Sequence, residues 1–173
     1  MHQQQDFESR FLPVRQKLFR FAYRMLEDSD EAEDVVQDVL LKVWNQRSRL
    51  SEIENAEAWC MQLTRNLSLD RLKSPRRQLR MTLEGWDGAE DRATPHRTTE
   101  INDTLHRMQG LLSTLPDVQR EVLHLREVEG YSYQEMAEVL SIDLNQIKVY
   151  LHRARKALRE KLLAQDRYGM AAH

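Results

Sequence analysis

The chain holds a single cysteine, Cys60, so no internal disulfide can form and no paired-cysteine metal site exists. Glycine and proline are sparse, at five and four of 173 residues, and that leaves few natural breaks in secondary structure. No glycine-rich loop is present to cradle a phosphate. No nucleophile–base pair or cluster of histidine and acidic residues stands at catalytic or ligand spacing. Neither an enzyme activity nor a metal or other cofactor is expected, and no small-molecule substrate. The N-terminal run MHQQQDFESR has no apolar signal core, and no stretch approaches a membrane span of roughly 18 apolar residues. A cytoplasmic protein without membrane insertion is expected. Charge of one sign is lacking too: the formal net charge is only -2. Any case for nucleic-acid binding must therefore rest on where the charges lie.

They lie apart. Residues 27–38 (EDSDEAEDVVQD) are acidic with no Lys or Arg, whereas residues 148–161 (KVYLHRARKALREK) are basic but for Glu160. The rest of the composition is rich in Leu, Arg, Glu and Gln, which favours helix over sheet. Apolar residues recur at three- and four-residue steps from Phe7 to Leu26, interrupted near Pro13. A second helix is expected from Ala32 to Trp44, capped by Ser29 or Asp30. Polar residues 45–54 then form a loop. A third helix runs from Asn55 to about Leu72 and ends at Ser74-Pro75. Cys60, next to Trp59 in this helix, reads as a small buried hydrophobe.

Residues 76–100 lose the period and carry Gly85, Gly88 and Pro95, as a flexible linker would. Periodicity returns at Ile101 and persists to Leu115-Pro116. A further helix starts at Asp117 and is stopped by Gly130. A short helix from Tyr133 to Leu140 has Ser132 and Glu135 as a capping box. A basic helix capped by Asp143 or Asn145 then reaches about Leu163, before a frayed tail. The fold class is all-α: two small helical domains, 1–75 and 101–165, joined by a flexible linker over 76–100, with a tail at 166–173.

The segment YQEMAEVLSIDLNQIKVYLH (133–152) has the pattern of a helix-turn-helix. Ala137 is the small residue that two steeply crossing helices need where they touch. Ile147, Leu151, Ala154 and Leu158 point inward, which turns Asn145, Gln146, Lys148, Val149, His152, Arg153 and Lys156 outward. Side chains of these types match base edges and phosphates in a major groove. The pattern also fits a plain helical bundle with a solvated basic face. On the second helix, Asp34, Gln37, Asp38 and Leu41 share one face at steps of three and four. That mixture suits a protein partner bearing Arg and Lys, and equally a solvated acidic face.

Two longer runs carry a resemblance. LPDVQREVLHLREVEGYSYQEMAEVLSIDLNQIKVYLHRARKALREKL is similar to region 4 of the extracytoplasmic-function (ECF) sigma factors. DEAEDVVQDVLLKVW and NAEAWCMQLTRNLSLDRLKSPRR resemble their region 2. Ser141 stands where the family's turn often has glycine, and Val149-Tyr150 where it often has Ser-Arg. Tyr150 falls near the buried face.

The resemblance implies a bacterial transcription initiation factor with no catalysis of its own. It implies that Asp34, Gln37, Asp38 and Leu41 dock on the clamp helices of the polymerase beta-prime subunit. Region 4 then binds the beta flap and the promoter -35 element. Trp59, Arg65, Asn66 and Arg71 serve the -10 element, with a base-capturing loop at about Gln46 to Glu57 and phosphate contacts from the SPRR run. Trp59 fits a core position as well as a wedge. Core RNA polymerase and promoter DNA are the implied partners, and the family often adds a cognate anti-sigma factor. A stand-alone helix-turn-helix regulator of LuxR-like type is the alternative, and would bind DNA as a dimer without polymerase.

Overall fold

The computed structural model describes residues 2–83 and 99–171, and every regular element among them is helical. Helix α1 (His2–Phe11) passes through a 3-10 turn (Leu12–Val14) into α2 (Arg15–Leu26). Pro13 causes this break, since proline lacks an N–H and crowds the preceding turn. Helix α2 stops at Glu27, whose backbone is left-handed (φ 54°). The cap of α3 (Ser29–Asn45) is Asp28, not Ser29 or Asp30. Its carboxylate accepts from the N–H groups of Asp30 and Glu31, both at 3.0 Å. Starting at Ser29, ahead of the expected Ala32, places Asp30 and Glu31 in the first turn, at the positive end of the helix dipole.

A 3-10 segment (Arg47–Glu52) fills the expected loop. Helix α4 (Ala56–Leu72) follows, with Asn55 accepting from the Ala58 N–H at 3.0 Å.

Both ends of the expected linker over 76–100 are helical. Pro75 ends α4 but also opens α5 (Pro75–Leu83), since a proline is tolerated where a helix has unpaired N–H groups anyway. Residues 84–98 of that linker lie outside the described residues. Helix α6 (Thr99–Ser113) starts two residues ahead of Ile101. Helix α7 (Asp117–Leu123) continues into a π-helical turn (His124–Val128), closed by Gly130 at φ 71°. Only glycine holds that backbone cheaply.

Ser132 and Glu135 form the expected capping box on α8 (Tyr133–Leu140). Helix α9 (Leu144–Ala171) overruns the expected frayed tail at 166–173 as far as Ala171. Ala164, Gln165 and Arg167 are good helix formers, and no breaker precedes Gly169.

One core forms where α2, α3 and α4 meet, around the fully buried Phe11, Leu18, Phe21, Val35, Val39, Cys60 and Met61. A second forms within α7, α8 and α9 around Val122, Leu125, Met136, Val139, Ile147 and Ala154. The two are continuous. Helix α4 packs along α8, and α2 touches α7, so a single apolar cluster runs through both halves. This explains why α4 carries Trp59, Leu63, Leu67 and Leu72 around most of its girth: it has neighbours on more than one side.

Candidate nucleic-acid and protein interfaces

The carboxylate face of α3 stands on a rigid base. Ala32, Val35, Val36, Val39 and Val43 are fully buried beneath it, which turns Asp34, Gln37, Asp38 and Leu41 to solvent. Leu41 is 58% exposed, unusual for a leucine beside a packed core. Arg71, from the end of α4, reaches this face: Nη2 donates to Asp38 at 3.4 Å, and Nη1 lies 3.7 Å from Asp34. Arg71 thus sits at the border between the two surfaces to which the residues were assigned from sequence.

Of the other residues marked on α4, Asn66 is exposed and Arg65 and Trp59 are half-buried. The Trp59 ring meets Phe11 edge-on at 6.5 Å and packs against the core. The Nε of Arg65 donates to Glu121 of α7 at 3.1 Å. The preceding loop is pinned by a residue that went unnoticed in the sequence. Arg10 donates to the carbonyls of Leu50 (2.9 Å) and Ile53 (3.1 Å), while Arg47 lies 4.5 Å over the Trp44 ring. Ser48, Arg49, Ser51 and Glu52 are left exposed on this ordered loop.

The SPRR run departs from expectation. Of its two arginines, only Arg76 is exposed. Arg77 folds back, donates through Nη2 to the Leu26 carbonyl at 2.5 Å and pairs with Glu31. Burial lowers its pKa, with the Arg80 charge adding to the effect. Arg80 in turn lies 3.4 Å from Asp28 and 3.7 Å from Glu31. Acidic residues at the start of α3 draw these cations away from any phosphate and fasten α5 to α3.

Helix α9 presents its basic face as the spacing requires. Ile147, Leu151 and Ala154 are buried, and Asn145, Gln146, Lys148, Val149, His152, Arg153 and Lys156 are all exposed. Tyr150 is half-buried against the core. Asp143 is the cap, and the cap is reciprocal. Its carboxylate accepts from the Gln146 N–H at 2.8 Å, and Gln146 Oε1 accepts from the Asp143 N–H at 3.1 Å. Gln146 must leave this bond before its amide can meet a base. Ser141, in the turn, takes the left-handed backbone (φ 54°, ψ 42°) for which glycine is the cheaper residue.

Arg155 and Arg159 join Lys148, His152 and Lys156 around an open hollow of about 660 Å³. Both continue the three- and four-residue spacing of that face, so the period alone pointed to them.

Between the halves lies a set of polar contacts that sequence spacing did not reveal. Glu121 is 3% exposed, and burial raises its pKa against the opposing pull of Arg65. The Glu129 side chain is 1% exposed and receives both Nε and Nη2 of Arg20, at 2.9 and 3.0 Å. His124 Nε2 lies 3.3 Å from the same carboxylate. Burial works against ionisation of Glu129, but bonds from His124 and Arg20 prevail and hold it at about 2. One hint was available: Glu121 falls three residues after Val118 and four before Leu125, on the apolar face of α7. The buried Cys60 thiol is pushed up to about 12 by desolvation, as an inert core residue would be.

Comparison with known proteins agrees with this anatomy. The family Sigma-70 region 2 matches residues 11–78, and Sigma-70, region 4 matches residues 105–158. ECF RNA polymerase sigma factor SigW of Bacillus subtilis is 27% identical over 157 residues, covering 86% of this chain and 84% of SigW. ECF RNA polymerase sigma factor SigL of Mycobacterium tuberculosis is 31% identical over 145 residues, covering 82% of this chain and 80% of SigL. Among solved structures, the sigma factor RpoE of Bartonella quintana, crystallised with the anti-sigma factor NepR, superposes with a TM-score of 0.70 at 28% identity. That match covers 91% of this chain and 96% of RpoE. Both regions, in this order, distinguish the chain from a stand-alone LuxR-like regulator. With an acidic face on one helical half and a helix-turn-helix reader on the other, the chain belongs to the extracytoplasmic-function family of RNA polymerase sigma factors.

Proposed function

We propose a division of labour among three surfaces of this transcription-initiation factor. Asp34, Gln37, Asp38 and Leu41 on α3 dock the chain on the clamp helices of the beta-prime subunit. Asn145, Gln146, Lys148, Val149, His152, Arg153 and Lys156 on α9 read the -35 duplex, with Arg155 and Arg159 adding phosphate contacts. Arg65, Asn66 and Arg71 on α4, with the loop before it, hold the -10 element once it melts. Trp59 supports that loop from the core. Region 4 also meets the beta flap. The protein works in the cytoplasm as a regulatory factor and not as an enzyme. By likeness to RpoE, crystallised with NepR, it takes a cognate anti-sigma factor.

The observation that carries this is the simultaneous exposure of the α3 and α9 faces over fully buried apolar undersides. Two modest contacts linked through one large enzyme reach a high effective concentration, so neither needs high affinity alone. The test is transcription in vitro with purified core polymerase on a promoter library. Wild-type protein is expected to co-elute with the core enzyme and to select a promoter. An Asp34→Ala/Gln37→Ala variant is expected to lose co-elution while its helical circular dichroism is unchanged. Retained co-elution would remove α3 from the docking surface, and tight, specific promoter binding by the free chain would remove the need for polymerase.

A further inference from the structure

Both ends of the loop before α4 are tied down by arginines. At its start, the Arg47 guanidinium lies 4.5 Å over the Trp44 ring and donates to the Trp44 carbonyl at 3.0 Å. At its close, Arg10 sends one terminal nitrogen to each of two carbonyls, Nη1 to Leu50 at 2.9 Å and Nη2 to Ile53 at 3.1 Å. The Leu50 carbonyl also accepts from the Ile53 N–H at 3.2 Å, so the guanidinium clasps the two ends of one turn. The Leu50 side chain beneath is buried, while Ser48, Arg49, Ser51 and Glu52 face solvent. Arg10 comes from α1, 40 residues before Leu50 in the chain. It stands just ahead of the segment that matches region 2, which starts at residue 11.

We propose that Arg10 is a positioning residue for promoter opening: it holds loop 46–55 in the shape that receives a base of the -10 element. The proposal rests on the assignment of this loop to that element. A base leaves the stack only when its pocket offsets the cost of unstacking, and a loop that must first order itself offsets less of it. Charge-assisted bonds to two carbonyls complete that ordering before DNA arrives. Arg10 needs no contact with DNA for this. It is half-buried, and both of its terminal nitrogens are committed to the loop. A lysine keeps the charge but is a point donor, without the fixed spacing of the planar fork. The bonds between the halves, Arg65 to Glu121, Arg20 to Glu129 and Gln62 Nε2 to Ser141 Oγ at 3.1 Å, use none of these residues. Substitution at Arg10 therefore leaves them in place.

The test compares wild type, Arg10→Lys and Arg10→Gln as holoenzymes, on a duplex promoter and on the same promoter with its -10 element pre-opened by mismatches. Both variants are expected to co-elute with core polymerase and to keep their helical circular dichroism. On the duplex both should give at least about tenfold less transcript, the loss that one or two charge-assisted bonds account for. On the pre-opened template, where no base has to be unstacked, the yield should return to within about twofold of wild type. Undiminished transcription from the duplex overturns the proposal. Equal losses on the two templates do so as well, because they place Arg10 in folding or docking. A wild-type yield from Arg10→Lys beside a loss in Arg10→Gln also overturns it, since that is the behaviour of a phosphate contact.

A Ser48→Ala/Ser51→Ala/Glu52→Ala variant checks the assignment of the loop separately. Wild-type transcription from it removes the loop from the -10 element, whatever Arg10 does. The tie itself is read by hydrogen exchange in the free chain. The Arg49 and Ile53 amides bond to the Gln46 and Leu50 carbonyls. In Arg10→Lys the Ile53 amide is expected to exchange at least about tenfold faster, by local opening, with the α4 amides unchanged. Unchanged exchange at Ile53 refutes the tie.

Discussion

Arginines that look alike in the sequence do different things in the folded chain. Arg76 is exposed, while its neighbour Arg77 is spent on the Leu26 carbonyl and Glu31. The Arg77 and Glu31 side chains are only 10% and 16% exposed. Breaking a buried pair from one side leaves an uncompensated charge, which costs on the order of 3 kcal/mol. Arg77→Ala is therefore expected to lower the unfolding free energy, read from denaturant titration, by that amount and to leave DNA affinity nearly unchanged, while Arg76→Ala weakens DNA binding and leaves stability nearly unchanged. Equal effects of the two substitutions on DNA binding would restore the phosphate role to Arg77. The SPRR run revealed positive charge, and nothing in it separated the solvated cation from the buried one. That choice depends on where the start of α3 lies. On α9 the same distinction was legible, because the apolar positions of a two-sided helix fix the outward ones by period alone.

Helix ends show how far local chemistry reaches. The Ser132–Glu135 box is written in four adjacent residues and forms as expected, and the Asn55 cap, not anticipated, is equally local. The cap of α3 shifted to Asp28 because several acidic residues in a row each satisfy the rule. The π-helical turn at His124–Val128 leaves no signature in the sequence. Ser141 is a strained exception: an L-residue held left-handed in a turn where glycine fits better. Ser141→Gly is expected to stabilise region 4 by about 0.5–1 kcal/mol, after allowing for the lost acceptor of Gln62. Thermal melting checks this, and a lower Tm would mean that the Gln62 bond outweighs the backbone strain.

The charge pairs across the seam make the stability of the closed chain depend on pH in two opposite ways. The pKa of Glu129 is depressed from 4.5 to about 2 in the folded chain. Its contribution is present in full above about 4.5 and is lost as pH falls toward 2. Glu121 is raised, so its buried charge costs stability at neutral pH, and acidification relieves that cost. Mild acid should thus neutralise Glu121 first, while the Arg20–Glu129 fork still holds. The wild type is expected to melt above Glu129→Gln at neutral pH, and the gap should close as pH drops from about 4.5 toward 2. A gap independent of pH would show that Glu129 contributes through packing and not through its charge.

Helix content, the two-part order, the buried faces of α3 and α9 and the outward reader all follow from residues within a few positions of one another. A 3.6-residue period is a local property, and the sequence carries it in full. The joining of two cores into one, the capture of Arg65 and the fork on Glu129 were decided elsewhere. Their partners lie 56 and 109 residues apart along the chain. No local pattern encodes such a distance. Only when the apolar faces close on each other does each buried carboxylate acquire an arginine partner, and desolvation then makes that pairing compulsory.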